Sequence, residues 1–280
     1  MRIPGNGGRN ALRARIIALC LATAACHAHQ AAGPEAAFDG AQAGDAAGLR
    51  AHGERLAHVL GCTSCHGDRL EGAQFDPEMK QYGPLYASNL SLLAPHYADA
   101  QIEAIVRRGT HPSRRSVWVM PSHIFQHLSE ADLKAIIAYL RSVPPTGKPT
   151  PPPQFSAEDR KEMAAGQYKA EAQVVQETRN QRPVDLGPSF VLGRYIAEVT
   201  CAECHGSRLE GQKGGPPDLV AAGTYTRAEF EHLVTEGVPT GHRKLKPMMT
   251  GVAKYRFTHL TRHERDALYA YLKARAEQAR

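Results

Sequence analysis

The stretch C-T-S-C-H-G-D-R-L-E-G opens at Cys62, and C-A-E-C-H-G-S-R-L-E-G opens 139 residues later at Cys201, with eight of eleven letters identical. Each copy sets two thiols three apart and a histidine behind the second. Such a set can do three things. As a redox dithiol it should sit near a βαβ pattern, and none surrounds it. As a zinc site it should pair with a second C-x-x-C about 15–20 residues away, far closer than the two copies here. As C-x-x-C-H it is the attachment sequence for c-type haem. On a helical turn the two sulfurs face one porphyrin edge and add across its vinyls, and the histidine falls under the iron. The assignment is Cys62, Cys65 and His66 for one covalent haem, and Cys201, Cys204 and His205 for a second.

The sixth iron ligand separates carrier from enzyme. A methionine closes the iron and raises its potential, which suits electron transfer. In W-V-M-P-S-H-I-F, Met120 stands just before Pro121, nine residues ahead of Ser129. Met79 is its rival, thirteen residues after His66 in a polar stretch. The second half offers Met248 and Met249 side by side, of which one can face an iron. Met120 lies eleven residues past Gly109, and the matching distance from Gly237 favours Met248. His96, His111, His123 and His127 read as solvated surface histidines. A haem-ligating histidine donates its other ring nitrogen to a backbone carbonyl, and proline is a stiff carrier of one. Pro217, twelve residues after His205, and Pro84, eighteen after His66, are the candidates.

These residues need elements to hold them. Each half has a short helical pattern before its cysteines, G-E-R-L-A-H-V-L-G from Gly53 and G-R-Y-I-A-E-V-T from Gly193. Each has a middle helix stopped by glycine, at Gly109 and Gly237; the second opens on a Thr226/Glu229 capping box. Each closes on a capped helix, opened by Ser129 and Asp132 or by Thr261 and Glu264. Leu133, Ile136, Ile137 and Leu140 recur at helical spacing, and no segment alternates like a strand for long. The class is all-α, with homologous domains over 48–145 and 186–280. P-P-T-G-K-P-T-P-P-P at 144–153 marks a stiff boundary, and 146–185 reads as a Pro-rich linker whose stretch 156–177 forms a short helix crossing between the halves.

Composition agrees. A chain of 280 residues with 6% aromatics can build compact helical domains but has little aromatic bulk, which a prosthetic group would supply. The net charge of +6 comes largely from Arg2, Arg9, Arg13 and Arg15. Without these four, 30 basic side chains face 28 acidic ones. No basic stripe with interleaved aromatics points to nucleic acid. The basic start and I-I-A-L-C-L-A-T-A-A at 16–25 read as an export signal over 1–26, too short to span a bilayer. Cys20 is an ordinary leader residue. Ala24 and Ala25 before Cys26 resemble a bacterial lipobox, with Thr23 where leucine is usual. Cys26 is thus either a lipidated N-terminus, which would attach the chain to a membrane, or a plain leader residue. Residues 27–47, Ala/Gly-rich, read as a flexible tether.

The sequence resembles the di-haem cytochromes c built from two class I cytochrome c domains, over nearly the whole chain behind the leader. The resemblance rests on both C-x-x-C-H-G motifs, on Met120-Pro121, and on A-Y-L at 138–140 and 270–272 in the closing helices. G-P-L-Y-A-S-N-L-S at 83–91 is similar to a segment of cytochrome subunits of periplasmic dehydrogenases. M-T-G-V-A-K-Y-R-F at 249–257 is similar to the methionine loop of their second domain, which implies Met249 rather than Met248. Thr250 departs from the pattern, since many class I domains have proline there. The resemblance also implies that opening and closing helices cross at a glycine, Gly53 facing Tyr139 and Gly193 facing Tyr271. What it implies in sum is an exported, periplasmic carrier of single electrons with two covalent haems c. Its donor would be a dehydrogenase and its acceptor an oxidase or another cytochrome. A di-haem enzyme of the peroxidase or thiosulfate-oxidising type would instead need an open or non-methionine iron. A haem-based sensor or a subunit anchoring a larger complex is the third class.

Overall fold

The computed structural model describes residues 35–75, 83–113, 116–241 and 243–279. Each half is a set of helices, and in the first they surround a cleft. In the first, the opening helix Ala46–Val59 packs along the closing helix Glu130–Ser142. In the second, Val191–Ile196 packs along Arg262–Gln278. Leu56, Val59, Leu133, Ile136 and Leu140 are all buried at the first contact, each worth about 1.5–3 kcal/mol when fully enclosed.

The two helix pairs touch backbone to backbone. A methyl group on Gly53 would lie 2.0 Å from the carbonyl oxygen of Ala135 and 2.9 Å from Tyr139 Cβ. On Gly193 it would lie 2.1 Å from the Ala267 oxygen and 2.7 Å from Tyr271 Cβ. Only hydrogen fits at either crossing. The paths from crossing to motif differ. Nine residues separate Gly53 from Cys62 and eight separate Gly193 from Cys201. The first half absorbs its extra residue at Gly61, whose φ of 79° ends the helix before the Cys62–His66 turn. The second runs on through a π-helical segment, Ala197–Cys201, into Ala202–His205.

The middle helices Asp99–Arg108 and Arg227–Glu236 end at the expected glycines. Ser129 and Thr261 cap the closing helices by accepting from the N–H of Asp132 and Glu264. Among the described residues the only sheet is a ribbon pairing Ala73–Phe75 with Leu85–Ala87. No described helix is long and apolar enough to cross a membrane.

Two sequence expectations are corrected. Over residues 35–47 the stretch read as a flexible tether is fastened at the junction of the halves. Phe38 is buried, 5.4 Å from the Tyr195 ring. The N–H groups of Phe38 and Asp39 donate to the fully buried carboxylates of Asp132 (3.1 Å) and Glu264 (2.8 Å). Each carboxylate also accepts from the opposite half: Tyr195 Oη donates to Asp132 at 2.7 Å, and Arg55 donates to Glu264 at 2.8 and 2.9 Å. The helix-capping acids thus brace the two halves together. The linker is likewise no free crossing. It holds two helices, Ala157–Ala164 and Glu171–Thr178, and the second packs on the first half. Polar residues there find partners on that half: Asp159 accepts from the Gly83 N–H at 2.8 Å, and Glu171 pairs with His123 at 3.0 Å.

Gly53→Val and Gly193→Val should each lower unfolding free energy by about 3 kcal/mol, the upper end for overpacking a tight contact. Gly44→Ala, whose methyl meets nothing within 4 Å, should stay within about 0.5 kcal/mol of the parent. Denaturant titration of the three variants checks this, and equal losses would contradict the crossings.

Candidate haem-attachment sites

Cys62 and Cys65 lie on one short turn with His66, and all three line an apolar cleft of about 250 Å³. Burial pushes the Cys62 and Cys201 thiols up to about 11, and Arg256 opposes the rise at both. Cys65 and Cys204 are raised too, by burial first and then by Glu203, with Arg256 again opposing.

Both histidines are tied down. His66 Nδ1 lies 2.7 Å from the Ser88 carbonyl oxygen, and His205 Nδ1 lies 2.7 Å from that of Pro217. With Nδ1–H donated, Nε2 keeps its lone pair for a metal. Burial holds both imidazoles below their usual pKa against the opposing pull of these bonds, which favours the neutral, ligating form.

Pro84 therefore does not fill the role expected of it. Its carbonyl instead accepts from the Gln154 N–H of the linker at 3.3 Å. Pro84 precedes the second ribbon strand, and that strand carries the chain four residues further before a carbonyl comes under the imidazole. The second half has no ribbon there, and its carbonyl arrives after twelve residues instead of twenty-two.

The repeated R-L-E-G, noted in the sequence without a role, builds the turn behind each histidine. Leu70 (φ 56°) and Leu209 (φ 64°) are left-handed and fully buried, a strained state for a bulky residue. The Gly72 and Gly211 N–H groups donate back to the His66 and His205 carbonyls at 2.7 and 2.8 Å. The Leu70 and Leu209 carbonyls then accept from Ser91 and Leu219, fixing the segments that follow the Ser88 and Pro217 carbonyls.

Met120 lines the same cleft as Cys62, Cys65 and His66. Its loop is tightly turned, with Val119 at φ 69° and the Met120 N–H donating to Trp118 O at 2.8 Å. The linker holds this loop from outside. Trp118 packs edge-to-face on Phe155 and Tyr168, with ring centroids 5.3 and 5.0 Å away. Met248 and Met249 both lie on the helix Pro247–Tyr255. Neighbours on a helix point about 100° apart: Met248 is 71% exposed, while Met249 packs against the core. Of the four histidines read as solvated, only His96 is exposed. His123 and His127 are half-buried, and His111 lines the first cleft. Cys20, Cys26 and Met79 lie outside the described residues.

Sequence reading missed Arg256 and Glu203. Arg256 is buried, donating through Nε to the Val59 carbonyl at 3.1 Å and through Nη1 to Glu203 at 2.8 Å. Glu203 sits between Cys201 and Cys204. A lone buried arginine far from either motif in sequence carries no local signal.

Among the described residues no three His, Cys, Asp or Glu side chains converge to hold a bare metal ion. Paired thiols, an imidazole with a free Nε2 and an apolar cleft carrying a thioether fit a haem. No curated protein sequence shows significant similarity to the chain. The family model described as cytochrome c matches it twice, over residues 50–144 and 190–276, each match spanning one C-x-x-C-H motif. The chain belongs to the cytochrome c family: it is built from two tandem cytochrome c domains of the kind that bind covalent haem c and transfer electrons.

Proposed function

We propose that the chain is a di-haem c-type cytochrome, working outside the cytoplasm and passing single electrons between redox proteins. The observation that carries this is the doubling of one complete set. Each half has paired cysteines, a histidine whose Nδ1 is committed to a backbone carbonyl, and a half-buried methionine. Haem supplies the reversible ferric–ferrous couple. The chain attaches it, orients the imidazole, offers a sulfur and excludes water with an apolar wall. His66 and Met120 would hold the iron of the first half, and His205 and Met249 that of the second.

The apolar leader over 16–25 supports export to the periplasm, and Cys26 is the residue a lipid would occupy. A dehydrogenase is the donor expected from the likeness of 83–91, with an oxidase or another cytochrome as acceptor. Against the enzyme reading, which needs an iron without a methionine, Met120 lines the first cleft and Met249 packs against the core.

Oxidised protein should show the weak far-red band of methionine-ligated ferric haem and bind cyanide slowly. Rapid cyanide binding by either haem would overturn the carrier reading in favour of an enzyme. Met120→Ala and Met249→Ala should each remove about half of the far-red band, whereas Met248→Ala should leave it intact. Loss of the band in Met248→Ala alone would reverse the assignment.

A further inference from the structure

One guanidinium links the end of the first opening helix to the second attachment motif. Arg256 follows the helix that carries Met249 and is only 7% exposed. Its Nε holds the Val59 carbonyl, three residues before Cys62, and its Nη1 holds Glu203, inside C-A-E-C-H. Gly61, next to Cys62, lies flat against it: a methyl there would sit 2.8 Å from Cζ. Nη2 is buried with no hydrogen-bond partner in the protein. Glu203 also lines the first-half cleft, together with Cys65 and His66.

Burying a cation costs several kcal/mol unless partners offset it. One carboxylate and one carbonyl leave Nη2 uncompensated. Charge acts strongly over short distances away from bulk water, and the guanidinium lies against Gly61, next to Cys62, and bonds Glu203, between Cys201 and Cys204. Gain of one electron at either iron makes that centre more negative, so a fixed positive charge beside both motifs favours the reduced state of both.

We propose that Arg256 is a positioning and electrostatic residue shared by the two redox centres, holding both reduction potentials up, with Glu203 setting how far. The inference rests on the two-haem reading. Glu203 is both the anchor that fixes the guanidinium between the motifs and the negative charge that tempers it. A chain lacking the arginine would leave that carboxylate facing both centres uncompensated.

The test is a potentiometric titration of the intact two-domain protein, in which each centre takes one electron from the electrode through a soluble mediator. Haem per chain is counted first by pyridine haemochrome assay. Arg256→Gln should reduce the equilibrium constant for reduction about tenfold at both centres, a fall of about 59 mV for one electron. Arg256→Lys should keep both near the parent values. Glu203→Gln should raise both, and it serves if Arg256→Gln does not accumulate. Lys254→Gln removes the same charge from an exposed site two residues away and should shift neither. A shift at one centre only, no shift in Glu203→Gln, or an equal shift in Lys254→Gln would overturn the proposal. Fewer than two haems in the parent would overturn the two-haem reading instead.

Discussion

Backbone meets backbone where Gly53 passes Ala135 and where Gly193 passes Ala267, and the sites depend on those two contacts. With no side chain between them, each opening helix lies directly on its closing helix. The direction in which it runs on is thereby set, and with it the position of the cysteine-bearing turn eight or nine residues later. Everything downstream is adjustment to that placement: a left-handed glycine in one half, a π-turn in the other, and a strained leucine behind each histidine. Strain of this kind persists only where the surroundings over-determine it. Here they do, because the histidine carbonyl, the leucine carbonyl and the imidazole Nδ1 are each hydrogen-bonded.

The same logic joins the halves. Asp132 and Glu264 begin as local devices, the acids at the start of the closing helices, where a negative charge suits the helix terminus. Burial makes them more than caps. Each draws one N–H from residues 38–39 and one donor from the opposite half. Arg256 adds a third connection, from the last residue of the first opening helix to Glu203 inside the second motif. The two domains are thus held in one compact unit, which lets a single buried charge lie beside both motifs.

Much of this was legible in the sequence because it is local. The cysteine spacing, the glycine stops, the Ser129 and Thr261 caps and the apolar face from Leu133 to Leu140 are all read within one or two helical turns. The crossings at Gly53 and Gly193 came from family resemblance rather than from spacing, because no local pattern says which glycine meets another helix. What escaped was decided by distant partners. Ser88 replaces Pro84 beneath His66 because a strand pairing moves the chain on by four residues. Residues 38 and 39 are fixed by carboxylates 94 and 225 positions away, so composition alone made them look loose. Trp118, Phe155 and Tyr168 tie the linker to the methionine loop, a contact that a proline-rich stretch does not announce.

If each half holds a covalent haem through its own cysteines, the mass of the chain must show it. Intact-mass spectrometry of the purified protein, denatured so that only covalent groups remain, is the decisive measurement. The two-haem reading predicts two haem masses on the parent chain. It predicts one on Cys62→Ala/Cys65→Ala and one on Cys201→Ala/Cys204→Ala. A parent chain carrying a single haem, or a variant of either pair still carrying two, would contradict it.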